Sequence, residues 1–148
     1  MKKKALLIAL ALTLFCTALL GIACTGSADT PYKKLSADKI TSATVLITGT
    51  NGYADQVELT RSEINELIAI LNKLQLATPD GSYQEYGGGL SMYFTLVRAD
   101  GKEETIGVYS GFVIVNGVGY QSEDEHFKAV SRELYELGAT ILNQKVLA

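Results

Sequence analysis

Apolar and polar residues alternate from Leu90 to Gln121, and turn dipeptides cut this stretch into four short runs. LSMYFTLVR ends at Asp100-Gly101, EETIGVY at Ser110-Gly111 and FVIV at Asn116-Gly117, and VGYQ closes the series. Glycine-containing dipeptides between alternating or β-branched segments are the strongest local hairpin signal, so the pattern predicts a four-stranded antiparallel meander. A three-residue loop at Ala99-Asp100-Gly101, with Gly101 left-handed, pairs Arg98 with Lys102. Met92, Phe94 and Leu96 then fall opposite Val108, Ile106 and Glu104. Two-residue turns at Ser110-Gly111 and Asn116-Gly117 set Val108 against Val113, Ile106 against Val115, Val115 against Val118, and Val113 against Tyr120. A two-residue first loop would instead put Leu96 against Thr105, and a one-residue slip turns a whole strand inside out. Only the longer loop aligns the apolar rows. One face gathers Met92, Phe94, Leu96, Ile106, Val108, Val113, Val115, Val118 and Tyr120, and is the expected core.

Before the meander, ITSATVLIT (40–48) reads as a strand with Val45 and Ile47 on one face. A loop over 49–55 and a short strand over 56–60 complete a hairpin. Thr60 and Glu63 form a capping box. Ile64, Leu67, Ile68, Leu71 and Leu74 follow the three-and-four spacing of a helix with one buried stripe, stopped by Thr78-Pro79-Asp80-Gly81. After the meander, Ser122 with Glu125 reads as a second capping box, with Glu123 and Asp124 at the positive end of the helix dipole. Phe127, Val130, Leu134, Leu137 and Ile141 give that helix about five turns, with Gly138 weakening its last part. The expected fold is α+β, in the order ββαββββα: a short hairpin plus a four-stranded meander in an antiparallel sheet, with two amphipathic helices. At least one helix should cover the core face.

The first residues carry an address. Lys2-Lys3-Lys4 precedes an apolar run over 5–20, interrupted only by Thr13 and Thr17, and then come Gly21-Ile22-Ala23-Cys24 and a small polar stretch. This is the layout of an export signal. Its end resembles a bacterial lipobox, which implies acylation of Cys24 after removal of residues 1–23. The family pattern has Leu three residues before the cysteine, whereas Leu20 stands four before Cys24. Ordinary cleavage and an uncleaved membrane anchor therefore stay open, since residues 5–23 are long enough to span a bilayer. All three place the domain on the outer side of the cell membrane. Residues 25–38, with Pro31 and Lys33-Lys34, read as a flexible tether, and 39–148 as a single domain. With Cys16 in the signal and Cys24 lipidated, the domain holds no thiol for a disulfide, a nucleophile or a metal.

Composition narrows the partners. The chain of 148 residues has 47% hydrophobic residues and a formal charge of −3. Without the three leader lysines, ten Lys and Arg face sixteen Asp and Glu, leaving −6. Nucleic-acid binding needs a basic footprint, so it is excluded. The leader, the T-x-x-E helix start (Thr60, Glu63), the D-G-K turn (Asp100 to Lys102) and the N-G turn followed by Tyr120 resemble small Gram-positive lipoproteins carrying a single domain of unknown function. The resemblance implies an address and a fold class, and no activity.

Chemistry-bearing residues are sparse. His126 stands beside Glu123, Asp124 and Glu125, but these side chains fan around one helical turn, so a solvated helix start is favoured over a metal site. Gly87-Gly88-Gly89 lacks the helix and lysine of a phosphate loop and reads as a connector. Glu103 and Glu104 point to opposite sides of a strand, unlike a catalytic pair. The second meander face carries Thr95, Thr105 and Gly107 among Tyr93, Val97, Tyr109, Phe112 and Ile114, of which the last five form the candidate binding face. It is either covered by the protein itself or contacts a glycan, a peptide, an envelope protein or a second copy. Tyr83 and Tyr86 lie near its edge only if their loop folds back. The expected function is a non-catalytic, membrane-tethered binding or interaction module with no cofactor. A regulatory lipoprotein restraining a larger protein fits the same features, and a small hydrolase or metal-dependent enzyme is the alternative from another class.

Overall fold

Strand β1 (Ile40–Thr48) pairs antiparallel with β2 (Ala54–Glu58) on one side and with β3 (Ser91–Arg98) on the other, joining the hairpin to the meander. The computed structural model describes residues 29–49, 54–76, 89–109 and 111–145. Strands β4 (Glu103–Tyr109), β5 (Phe112–Val115) and β6 (Val118–Tyr120) extend the sheet in the order β2-β1-β3-β4-β5-β6. Helices α1 (Arg61–Leu71) and α2 (Glu125–Lys145) complete an α+β fold.

The meander register is the one that the turn residues demand. Met92, Phe94 and Leu96 stand opposite Val108, Ile106 and Glu104, and Val113 opposite Val108 and Tyr120. Gly101 has φ 81°, and the Arg98 N–H donates to the Lys102 carbonyl at 2.9 Å, closing the three-residue loop. At the last turn both Asn116 (φ 50°) and Gly117 (φ 84°) are left-handed, the type I′ geometry that follows strand twist.

Val45 and Ile47 stand opposite Phe94 and Met92, so the inner row continues across β1. A bulge between Ile40 and Ser42 lets both Ile40 and Ala43 point inward despite their spacing of three. The inner row, α1 and α2 form one buried cluster. Thr60 caps α1 reciprocally with Glu63, as its sequence requires. The first helix ends at Leu71, with Asn72 as its C-cap, before the Thr78-Pro79-Asp80-Gly81 stop, which lies outside the described residues. Leu74 and Leu76 are buried beyond it.

Several expectations need correction. Residues 29–38 are packed, not a tether: Tyr32 and Leu35 join the core, and Asp29 exchanges backbone hydrogen bonds with Leu76. Their apolar side chains cover sheet and helix surface that solvent would otherwise reach. Val118 is 44% exposed because β6 is the edge strand and runs past the helical cover. The second helix is capped by Asp124, whose carboxylate accepts the Phe127 N–H at 3.0 Å, while the Ser122 hydroxyl accepts from Asp124 N. The helix runs unbroken through Gly138. The strand expected over 56–60 begins at Ala54 and ends at Glu58, because Leu59 turns into the core and Thr60 caps the helix.

Candidate functional site

The five residues of the outer face do not form an open surface. Tyr93, Val97, Tyr109 and Phe112 are half-buried, and Ile114 is 5% exposed although it lies on the face opposite the helices. The cause is Gly107, which pairs with Tyr93 on one side and Ile114 on the other. A Cβ on Gly107 would lie 2.8 Å from the Tyr93 ring and 3.2 Å from Ile114 Cβ. The missing side chain lets the tyrosine ring lie across the glycine. Ile114 is thus removed from any contact surface, and the face is partly closed by its own aromatic residue.

A concavity of about 590 Å³ opens at the end of the sheet, between the first half of α2 and the β4–β5 turn. Gly89 and Leu90 enter β3 along one side, Val108, Tyr109 and Gly111 come from the turn, and Gln121, Ser122 and Glu123 from the β6–α2 connection. The second helix supplies Lys128, Ser131, Arg132 and Tyr135, spaced at three, four and seven residues and therefore on one stripe. Gly89, at φ 112°, lies against the Tyr109 ring, where a Cβ would come within 3.1 Å. Tyr109 is the single member of the expected face that lines this cleft.

The charges of the cleft are unequal in their freedom. Lys128 Nζ donates to Glu123 at 2.9 Å and to Glu125 at 3.3 Å. Those hydrogen bonds push the lysine up and hold Glu123 below the ordinary carboxylate range. Arg132 forms no ion pair or hydrogen bond among the described residues. Ser131, 3% exposed as a residue, lies on the wall between them.

Other candidates are engaged in the architecture. His126 Nε2 donates to the Lys73 carbonyl at 2.8 Å, tying the start of α2 to the chain just after α1. Glu104 lies on the inner face, its side chain 7% exposed, with Arg98 at 3.0 Å and Lys102 at 3.1 Å. Glu103 is exposed on the opposite side. Among the described residues, no group of three or more His, Cys, Asp or Glu is placed to hold a metal ion, and no helix is long and apolar enough to cross a membrane. Cys24, Tyr83, Tyr86, Gly87 and Gly88 lie outside the described residues.

Sequence reasoning passed over Ser131, Arg132 and Tyr135. Their shared stripe with Lys128 was a readable signal, but helical spacing gives a face without saying what stands opposite. Comparison with protein-family models, curated proteins and solved structures finds no match to this chain.

Proposed function

We propose that this chain is an extracytoplasmic lipoprotein, tethered to the outer side of the cell membrane through Cys24, that binds a ligand of the envelope without chemically transforming it. The address is supported by the basic, apolar and small-residue order of 1–29, with Cys24 placed where a lipobox carries its acylated cysteine. One observation carries the binding role: the cleft between α2 and the sheet end, whose volume suits a small ligand and whose walls mix aromatic, apolar and a few polar groups. Binding rather than catalysis is supported by the use made of the titratable groups. Lys128 is held by two carboxylates, and the single imidazole of the sequence is occupied with the Lys73 carbonyl.

The test uses the full chain in lipid nanodiscs, labelled with nitrogen-15 and titrated with soluble peptidoglycan fragments. Amide shifts are expected at Leu90, Tyr109, Gln121 and Tyr135, with the fragments recovered intact. Shifts confined to β2 and α1, or conversion of the fragments to products, would overturn the reading. The address is checked separately: Cys24→Ser should abolish the diacylglycerol adduct in a mass spectrum of the membrane fraction. An unmodified, uncleaved wild-type N-terminus would rule the lipoprotein address out.

A further inference from the structure

Several cations around the helices and turns have anionic partners. Lys73 meets Glu133 at 2.7 Å, Lys145 meets Glu63 at 2.6 Å, and Arg98 and Lys102 share Glu104. Within the cleft Lys128 is likewise neutralised by Glu123 and Glu125. Arg132 differs. Glu136, one turn further along α2 and at the right spacing for a helical ion pair, makes none with it, and Glu133 is turned to Lys73. A guanidinium stays protonated at any physiological pH, so Arg132 puts a permanent positive charge on the cleft wall that no ion pair among the described residues takes up. The same wall carries Ser131 and the apolar surface of Leu90, Val108 and Tyr135.

From this juxtaposition we propose that the cleft takes an amphipathic monocarboxylate, its carboxylate on the Arg132 guanidinium and its apolar or aromatic part against Leu90, Val108 and Tyr135. The assignment rests on the cleft being the binding site and adds the chemistry of its ligand. Three features select that class. The planar guanidinium fork matches a carboxylate with two parallel hydrogen bonds. Ser131, also on the cleft wall, offers a hydroxyl donor to a bound carboxylate. Glu123 on the rim opposes a second negative charge, which disfavours a phosphate dianion in the same place. The volume of about 590 Å³ accommodates an apolar side chain together with a short backbone.

The experiment compares N-acetyl-leucine and N-acetyl-phenylalanine with their carboxamides and with phenyl phosphate, titrated against the full chain in nanodiscs by amide shifts. The acids should shift Leu90, Tyr109, Gln121 and Tyr135, and the carboxamides should bind about tenfold or more weakly, the loss expected for a charge-assisted hydrogen bond. Arg132→Gln should bring acid affinity down to the carboxamide level, and Arg132→Lys should retain part of the difference. Arg132 is exposed and glutamine is a good helix former, so an unchanged melting temperature is expected for the variant. The comparison of acid with carboxamide on the wild-type chain stands even if that variant is unstable. Equal affinities for acid and carboxamide, tighter binding of phenyl phosphate, or undiminished acid binding by a folded Arg132→Gln variant overturns the carboxylate assignment and leaves the cleft a binding site. The absence of any shift at the cleft with these probes and with peptidoglycan fragments overturns both.

Discussion

Gly138 on α2 lies directly on Met92 of β3: a Cβ at Gly138 would fall 2.1 Å from Met92 Sδ and 3.0 Å from its Cγ. Met92 is fully buried, so its side chain has little room to swing away. The glycine that sequence reasoning takes as a weak point of the helix is the contact that lets helix and sheet close together. Gly138→Ala gains about 1 kcal/mol of helix propensity, and overpacking costs about 1–3 kcal/mol. A net loss of stability in urea unfolding is expected, and pairing it with Met92→Val should cost less than the two single changes summed. A stabilised Gly138→Ala variant would contradict the close approach.

Asn116 holds the last turn twice. Its backbone is left-handed, its N–H donates to the Thr105 carbonyl at 2.8 Å, and its side-chain Oδ1 accepts the Thr105 N–H at 2.9 Å. Asn116→Gly keeps the backbone conformation and loses only the side-chain bond, costing about 1 kcal/mol. Asn116→Ala loses the bond and adds the left-handed penalty, for about 2–3 kcal/mol in all. The order of the two denaturation midpoints is the measurement, and equal midpoints would refute the double role.

Glu63 couples the two helices and makes stability fall in acid. Its carboxylate accepts from the Thr60 N–H at 2.6 Å and from Lys145 Nζ at 2.6 Å, and Lys145 also donates to the Glu58 carbonyl at 3.0 Å. Burial alone would raise this carboxyl, but the hydrogen bonds from Lys145 and from Thr60 outweigh it and hold it below the ordinary glutamate range. The unfolded chain therefore takes up the proton first as pH falls. The stabilisation is complete above the ordinary glutamate pKa, and it is lost as pH drops through the lowered folded value. Unfolding free energies measured from pH 7 down to pH 3 should show a shallower acid slope for Glu63→Gln. The same slope in both proteins would place the acid sensitivity elsewhere.

Tyr32 fastens the segment ahead of the sheet. It is 3% exposed, and burial first, with the Glu104 carboxylate second, pushes its hydroxyl well above the ordinary tyrosine value. Removing the ring in Tyr32→Ala should cost about 3–5 kcal/mol, as for other large buried side chains. Because the folded pKa is raised, its contribution is complete below the unfolded value of about 10, and it declines as the unfolded chain ionises at higher pH. Tyr32→Phe should flatten the alkaline limb of the stability profile while preserving most stability at pH 7. A Tyr32→Ala variant as stable as wild type would return residues 29–38 to the status of a tether.

Much of what local rules reach is legible in residue order alone, although the cap of α2 falls on Asp124 and not on Ser122. The hairpin register follows from Asp100-Gly101, Ser110-Gly111 and Asn116-Gly117 because side chains alternate with period two and a turn fixes which residues meet. The Thr60–Glu63 cap and the apolar stripe of α1 are likewise contained within a few residues. The bury-or-expose choice at Val118 was not, since its place on an edge strand depends on where the helices end. Nor was the insertion of β1 between β2 and β3, the docking of Tyr32, or the contact of Gly138 with Met92, each of which joins residues far apart in the chain. The cleft belongs to that second class as well. Helical spacing aligns Lys128, Ser131, Arg132 and Tyr135, but only packing α2 against the end of the sheet brings Leu90, Val108 and Tyr109 opposite them, because burying apolar surface fixes that placement and no local preference encodes it.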